Sequence, residues 1–140
     1  MRMDVARSRI GYVLMGSCNT TTPADATTYY FGDVPILAMQ TSADTQRLYF
    51  PRSGTVRSIQ ITFHQTAGSN ETSTVSLRLN NTTDTTISSV VTNDAANTVF
   101  SVNNLSVAVQ TTDYFEIKWV TPTWVTNPTS LKATVRVYVD

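Results

Sequence analysis

The chain is poor in charge. Asp, Glu, Lys and Arg make up 14% of its 140 residues, against about 25% in ordinary soluble domains, and they cancel to a formal net charge of zero. Such a surface generates no field that gathers nucleic acid or anionic lipid, so neither is expected as a partner. It also resists association less than a charged surface does, which points to protein partners or neutral surfaces. There is one cysteine, Cys18, and one histidine, His64. A single cysteine excludes an intrachain disulfide, so the fold rests on packing alone. A single histidine removes most hydrolase constellations and every multi-histidine metal site. A Gly-x-Ser-x-Gly elbow, a glycine-rich phosphate loop, His-Glu-x-x-His and paired cysteines are all missing, and no base stands near Cys18 in sequence to activate it. No apolar run approaches the roughly 20 residues that cross a bilayer as a helix. An amphipathic helical period is missing throughout.

What is present is alternation. The stretch around which the chain is organised is Leu48-Tyr49-Phe50-Pro51-Arg52-Ser53-Gly54-Thr55, which leads directly into residues 56–64. There Ile59, Ile61 and Phe63 alternate with Ser58, Gln60, Thr62 and His64, the period of a strand with one dry and one wet face. Pro51 and Gly54 mark a corner before it. Val56 is out of phase with Ile59, which predicts a bulge or bend between them. The same alternation runs through Val75, Leu77 and Leu79, through Phe115, Ile117 and Trp119, and at greatest length through Leu131, Ala133, Val135, Val137 and Val139.

Shorter strands are expected from Ile10 to Met15, over 27–31, from Pro35 to Met39 and from Thr85 to Val91. Residues 16–26 read as a loop. Asn80 to Asp84 reads as a turn, because Asn and Asp tolerate left-handed backbone. Asn103-Asn104, between Val99-Phe100-Ser101-Val102 and Leu105, Val107 and Val109, reads as a tight hairpin turn. Strands recurring every ~8 to 12 residues with turn residues between them predict an all-β antiparallel sandwich. It is expected as one domain over residues 10–140, preceded by a polar arm over residues 1–9.

The arm holds Arg2, Arg7, Arg9 and Asp4, with too few apolar residues to anchor itself in a core. Residues 10–18 superficially match a lipoprotein signal ending in cysteine. The apolar run is short and Asp4 sits in the leading segment, so it reads as a strand.

His64 lies on a polar strand face and reads as an ordinary exposed histidine. Asp25, Asp33, Asp44, Asp84, Asp94 and Asp113 fall mostly in turns, where Asp is a turn former. Glu116 shares a face with Lys118, which predicts a surface ion pair. The chain therefore reads as non-enzymatic, with no catalytic residue, cofactor or metal site. Its most distinctive loop is Thr121-Pro122-Thr123-Trp124-Val125-Thr126-Asn127-Pro128. Two prolines stiffen it and Trp124 offers a large apolar surface. Either Trp124 and Asn127 contact a neighbouring subunit, receptor or glycan, or Trp124 lids one end of the core. Asn19, Asn70, Asn80, Asn81 and Asn104 begin Asn-x-Ser/Thr triplets, which carry meaning only in a secretory pathway.

The segment Phe50-Pro51-Arg52-Ser53-Gly54-Thr55 before a core strand, and Val107-x-Val109 followed by Asp113-Tyr114-Phe115-Glu116-Ile117, resemble two parts of one family pattern. That pattern belongs to jelly-roll sandwiches of the tumour-necrosis-factor and C1q type and to similar virion proteins of tailed bacteriophages. The likeness covers roughly residues 46 to 139. The phage motif usually has Gly before the Asp; here Thr112 stands there, so the turn must differ. The resemblance implies a homotrimer and a virion or extracellular role, and supplies no catalytic residues. On it rests the expectation of a decoration or cement protein on the virion surface, assembled in the host cytoplasm and bound to the major capsid protein or other virion proteins. Arg2, Arg7 and Arg9 would reach over neighbouring subunits. The alternative is a receptor- or carbohydrate-binding head that uses Trp124 against a host-surface glycan.

Overall fold

In the computed structural model, which describes residues 11–20, 22–32, 38–43, 46–68, 71–93 and 96–140, the alternating segments are strands. In chain order they are β1 (Tyr12–Thr20), β2 (Thr28–Phe31), β3 (Leu48–Tyr49), β4 (Gly54–Gln65), β5 (Glu71–Leu79), β6 (Thr83–Asn93), β7 (Ala96–Val102), β8 (Val107–Val109), β9 (Tyr114–Val120) and β10 (Leu131–Val139). One sheet has the order β1-β10-β4-β7 with β8 also on β4; the other has β2-β9-β5-β6 with β3 also on β9. All these pairings are antiparallel. Among the long strands only β5 and β6 are neighbours both in sequence and in space, so the chain passes repeatedly from one sheet to the other. This is the jelly-roll order, two antiparallel sheets closed over one core.

The inward residues of both sheets supply that core. Ile59, Ile61 and Phe63 of β4, Val135 and Val137 of β10, and Phe115, Ile117 and Trp119 of β9 are all at most 1% exposed. Trp119 lies centrally, with ring centroids 5.0 Å from Phe63, 5.8 Å from Tyr29 and 6.2 Å from Trp124. Its indole N–H donates to Ser73 Oγ at 2.7 Å, which satisfies the one polar atom that it buries.

The expected irregularity between Val56 and Ile59 is present. Tyr138 pairs with Ser58 and Val139 with Val56, so Arg57 is the extra residue of a bulge, and both flanking apolar side chains reach the core. The same bulge explains why Asn103-Asn104 is not a hairpin turn. Val102 pairs with Ile59 and Val107 with Val56, so β7 and β8 lie end to end along one edge of β4. Between them the chain jogs outward, with Asn104 at φ 63°. Leu105 N–H then donates to the Arg57 carbonyl at 2.9 Å.

One further expectation is corrected. The first strand runs through Gly16 to Thr20, which had read as loop; registration on β10, from Tyr12 opposite Val139 to Thr20 opposite Leu131, overrides weak local propensity. Most of the short strand expected from Pro35 to Met39 lies outside the described residues. Ala38 and Gln40 make single bridges, to Asn19 of one sheet and Tyr30 of the other, so this segment ties the two sheets together along one side. The turn after β5 has Asn80 and Asn81 at φ 51° and 57°, as their chemistry predicts. The turn before β9 does not need glycine at Thr112. Asp113 N–H donates to the Gln110 carbonyl at 3.1 Å and Gln110 N–H donates back to Asp113 Oδ2 at 2.7 Å.

Candidate interaction face

Alternation that sends one set of side chains inward leaves a second set on each outer sheet face, and the two outer faces differ in kind. On the β2-β9-β5-β6 sheet the outward charges are already engaged with one another. Arg78 lies opposite Glu116 across the β5 and β9 strands, with Nε 3.6 Å from Oε1. It also reaches Asp84 Oδ1 at 3.2 Å and lies over the Tyr30 ring at 5.8 Å. Lys118 Nζ pairs with Asp84 Oδ2 at 2.6 Å. The expected surface pair of Glu116 with Lys118 is therefore replaced. Glu116 is 0% exposed and faces Arg78, because the outer face is itself covered at this point. Arg47 stacks over Tyr114 at 4.6 Å, and Tyr114 meets Tyr49 at 5.3 Å.

The outer face of the β1-β10-β4-β7 sheet is the opposite case. The strand registers set its side chains in rows: Val13, Tyr138, Ser58; then Met15, Arg136, Gln60, Ser101; then Ser17, Thr134, Thr62, Val99; then Asn19, Lys132, His64, Asn97. These rows contain two cations and no carboxylate. Hydroxyls and amides fill most of the rest, with Val13, Met15, Val99 and Tyr138 between 42% and 57% exposed. Arg136 Nη1 donates to Gln60 Oε1 at 2.8 Å, and His64 Nδ1 hydrogen-bonds Asn97 Oδ1 at 2.8 Å. A shallow cleft of about 240 Å³ lies between Val13, Tyr138, Ser58, Gln60, Arg136 and Ser101.

Residues singled out from sequence fall elsewhere. Arg2, Arg7 and Arg9 lie outside the described residues. Trp124 is 6% exposed and packs against Trp119, so its ring lids the core. Asp25 Oδ1 accepts from its backbone N–H at 3.0 Å, while Val125 beside it is 88% exposed. Asn127 Nδ2 donates to the Pro23 carbonyl at 3.2 Å, which holds the loop to the chain before β2. Cys18 is buried in β1 and burial raises its thiol pKa well above the usual range, so it is held as a neutral thiol. Among the described residues no group of three or more His, Cys, Asp or Glu side chains is placed to hold a metal ion.

The outer rows were not visible from sequence, because each draws on three or four strands far apart in the chain. One signal did point to them. Val13, Leu14 and Met15 are apolar on both faces of a strand that ends its sheet, so a wet face is missing where one is expected.

No known family model matches the chain, and no curated protein matches it either. Solved structures do. The crystal structure of FlhE is similar with a TM-score of 0.54 at 10% identity, over 92% of this chain and 96% of that one. The structure of infectious bursal disease virus, Gx strain, has a TM-score of 0.38 at 11% identity, over 92% of this chain and 35% of that one. At such identities the first likeness is one of fold: this chain is a β-sandwich built like FlhE.

Proposed function

We propose that this protein is a structural component of a virion surface, a decoration or cement protein that works by contact rather than by catalysis. The observation that carries the reading is the outer face of the β1-β10-β4-β7 sheet, broad, free of carboxylates, with two cations among mostly neutral polar side chains and four exposed apolar ones. A rigid sheet face of this composition loses little entropy and little charge solvation when it is laid on another protein. The family pattern at residues 50–55 and 107–117 supplies the virion setting. In this reading the sheet face rests on the capsid lattice, and Arg2, Arg7 and Arg9 pair with acidic groups of neighbouring subunits, adding specificity more than affinity. The test is to add the purified chain to capsids that lack it. Saturable binding with a raised capsid melting temperature supports the reading; no binding overturns it.

A second reading has its own observation. Tyr138, 42% exposed beside Arg136, Gln60 and Ser58, forms an aromatic platform flanked by polar groups, the arrangement that sugar binding uses. Under it the recognition surface of a receptor- or glycan-binding head centres on Tyr138 and not on the buried Trp124. Tyr138→Ala then abolishes glycan or host-cell binding with the fold intact.

A further inference from the structure

Strand β1 ends its sheet, and its outer edge is open over most of its length among the described residues. At the far end Met39 N–H donates to the Asn19 carbonyl at 2.9 Å. Backbone groups of successive strand residues point to opposite sides, so those of Val13, Met15 and Ser17 point the same way as Asn19, out of the sheet and away from β10. Edges of this kind are normally blunted by Lys, Pro, a bulge or a cover. Residues 11–20 contain no charged residue and no proline, and β1 pairs with β10 from Tyr12 to Thr20 without a register shift. Among the described residues the edge is long, regular and unguarded.

We propose that this edge pairs antiparallel with β1 of a second copy, joining two molecules into one continuous sheet about a two-fold axis. The inference does not rest on the virion reading, since it concerns the isolated protein. Side chains on both faces of β1 favour a second copy as occupant. With Leu14 on the axis, Val13 of one copy lies opposite Met15 of the other, and the reverse. Val13 and Met15, 52% and 55% exposed, then meet as an apolar strip on the outer face. Leu14, half-buried against the core from one side, meets its own counterpart on the inner face. On the outer face the nearest cations among the described residues, Arg136 on each β10, stand about 14 Å apart across three strand spacings, beyond the ~8 Å screening length at physiological salt; Arg52 lies over the Tyr12 ring at 4.9 Å, on the side of β1 opposite Val13 and Met15. The contact is isologous and closes at two copies, so the trimer implied by the family pattern needs a different surface.

Sedimentation equilibrium of the full chain over 1 to 200 µM decides this, with circular dichroism on every variant. The expected species is twice the 15.4 kDa monomer. Met15→Pro removes an outward N–H that makes no intramolecular bond among the described residues, and Met15→Lys places a charge in the strip; each is expected to weaken the dimer about tenfold or more, since the loss occurs twice per dimer. Val99→Lys, at the opposite edge of the same face, leaves it unchanged. Should a variant fail to fold, amide exchange of the wild-type chain carries the test: the amides of Val13, Met15 and Ser17 gain protection as concentration rises through the dissociation constant. A wild-type monomer or trimer at 200 µM overturns the proposal. So does a dimer indifferent to both Met15 variants, or one whose β1 amides exchange equally fast at all concentrations.

Discussion

Replacing Trp124 by Ala separates its two sequence readings, because a lid and an exposed contact residue lose different things. A buried tryptophan removes ~150 to 250 Å² from water, and at about 25 cal/mol per Å² that corresponds to roughly 4 to 6 kcal/mol as an upper figure. Two features adjust it. The backbone N–H bond to Asp25 Oδ1 survives the substitution, and no acceptor among the described residues lies within reach of Nε1, so an unsatisfied buried donor is removed together with the ring. An orphan donor costs about 1 to 3 kcal/mol, which brings the expected destabilisation to about 3 kcal/mol, the low end of aromatic truncations. Urea unfolding followed by far-ultraviolet circular dichroism reads this directly. With an m-value of about 2 kcal/mol/M the midpoint falls by roughly 1.5 M. Trp124→Phe keeps most of the apolar area and loses the orphan donor, so its midpoint stays within about 0.5 M of wild type. Val125→Ala, at a position 88% exposed, serves as the control and moves little. An unchanged midpoint for Trp124→Ala, with binding to a partner lost, would refute the lid.

Gly16 lies where the two sheets approach each other; an added Cβ would stand 2.2 Å from the Gly32 carbonyl oxygen and 3.1 Å from Val135 Cγ1. Gly16→Ala must move backbone and is expected to lower stability by about 1 to 3 kcal/mol in the same urea assay. Arg78→Ala removes the guanidinium opposite the buried Glu116 carboxylate and should cost about 3 kcal/mol, whereas Lys118→Ala, a partly exposed partner of Asp84, should cost about 1 kcal/mol or less; equal effects would contradict the face geometry. Burial raises the Cys18 pKa, so the unfolded chain releases its thiol proton first as pH climbs. Stability from this group is whole below the unfolded pKa of about 8.5 and declines above it. Unfolding at pH 7 and pH 10 should show a loss in the wild type that Cys18→Val lacks, and Cys18 should resist alkylation at pH 8 until the chain unfolds.

The core strands were legible because their inward sets alternate without interruption: β4, β5, β9 and β10 each declare a dry face. The bulge at Arg57 was legible as a break of phase. What the break does to its neighbour was not, since Asn103-Asn104 has the composition of a hairpin turn and only the position of β4 makes β7 and β8 collinear. The second half of β1 was missed for a related reason. Gly16, Ser17 and Asn19 are weak strand formers, held by nine paired positions on β10. Glu116 shows the limit of a two-face pattern, which marks a residue as outward without telling whether the outer face is covered. The candidate face is legible only after the register is known, for Met15, Arg136, Gln60 and Ser101 are neighbours across strands and strangers along the chain.

The most direct measurement of the proposed virion role is covalent footprinting of tyrosine and lysine on the free chain and on the chain added to capsids. Tyr138 and Lys132 sit on the carboxylate-free outer face of the β1-β10-β4-β7 sheet, and Tyr49, 53% exposed, belongs to the other sheet. Assembly should shield Tyr138 and Lys132 and leave Tyr49 as reactive as before. Shielding of Tyr49 with Tyr138 and Lys132 still labelled would contradict the assignment of the working face.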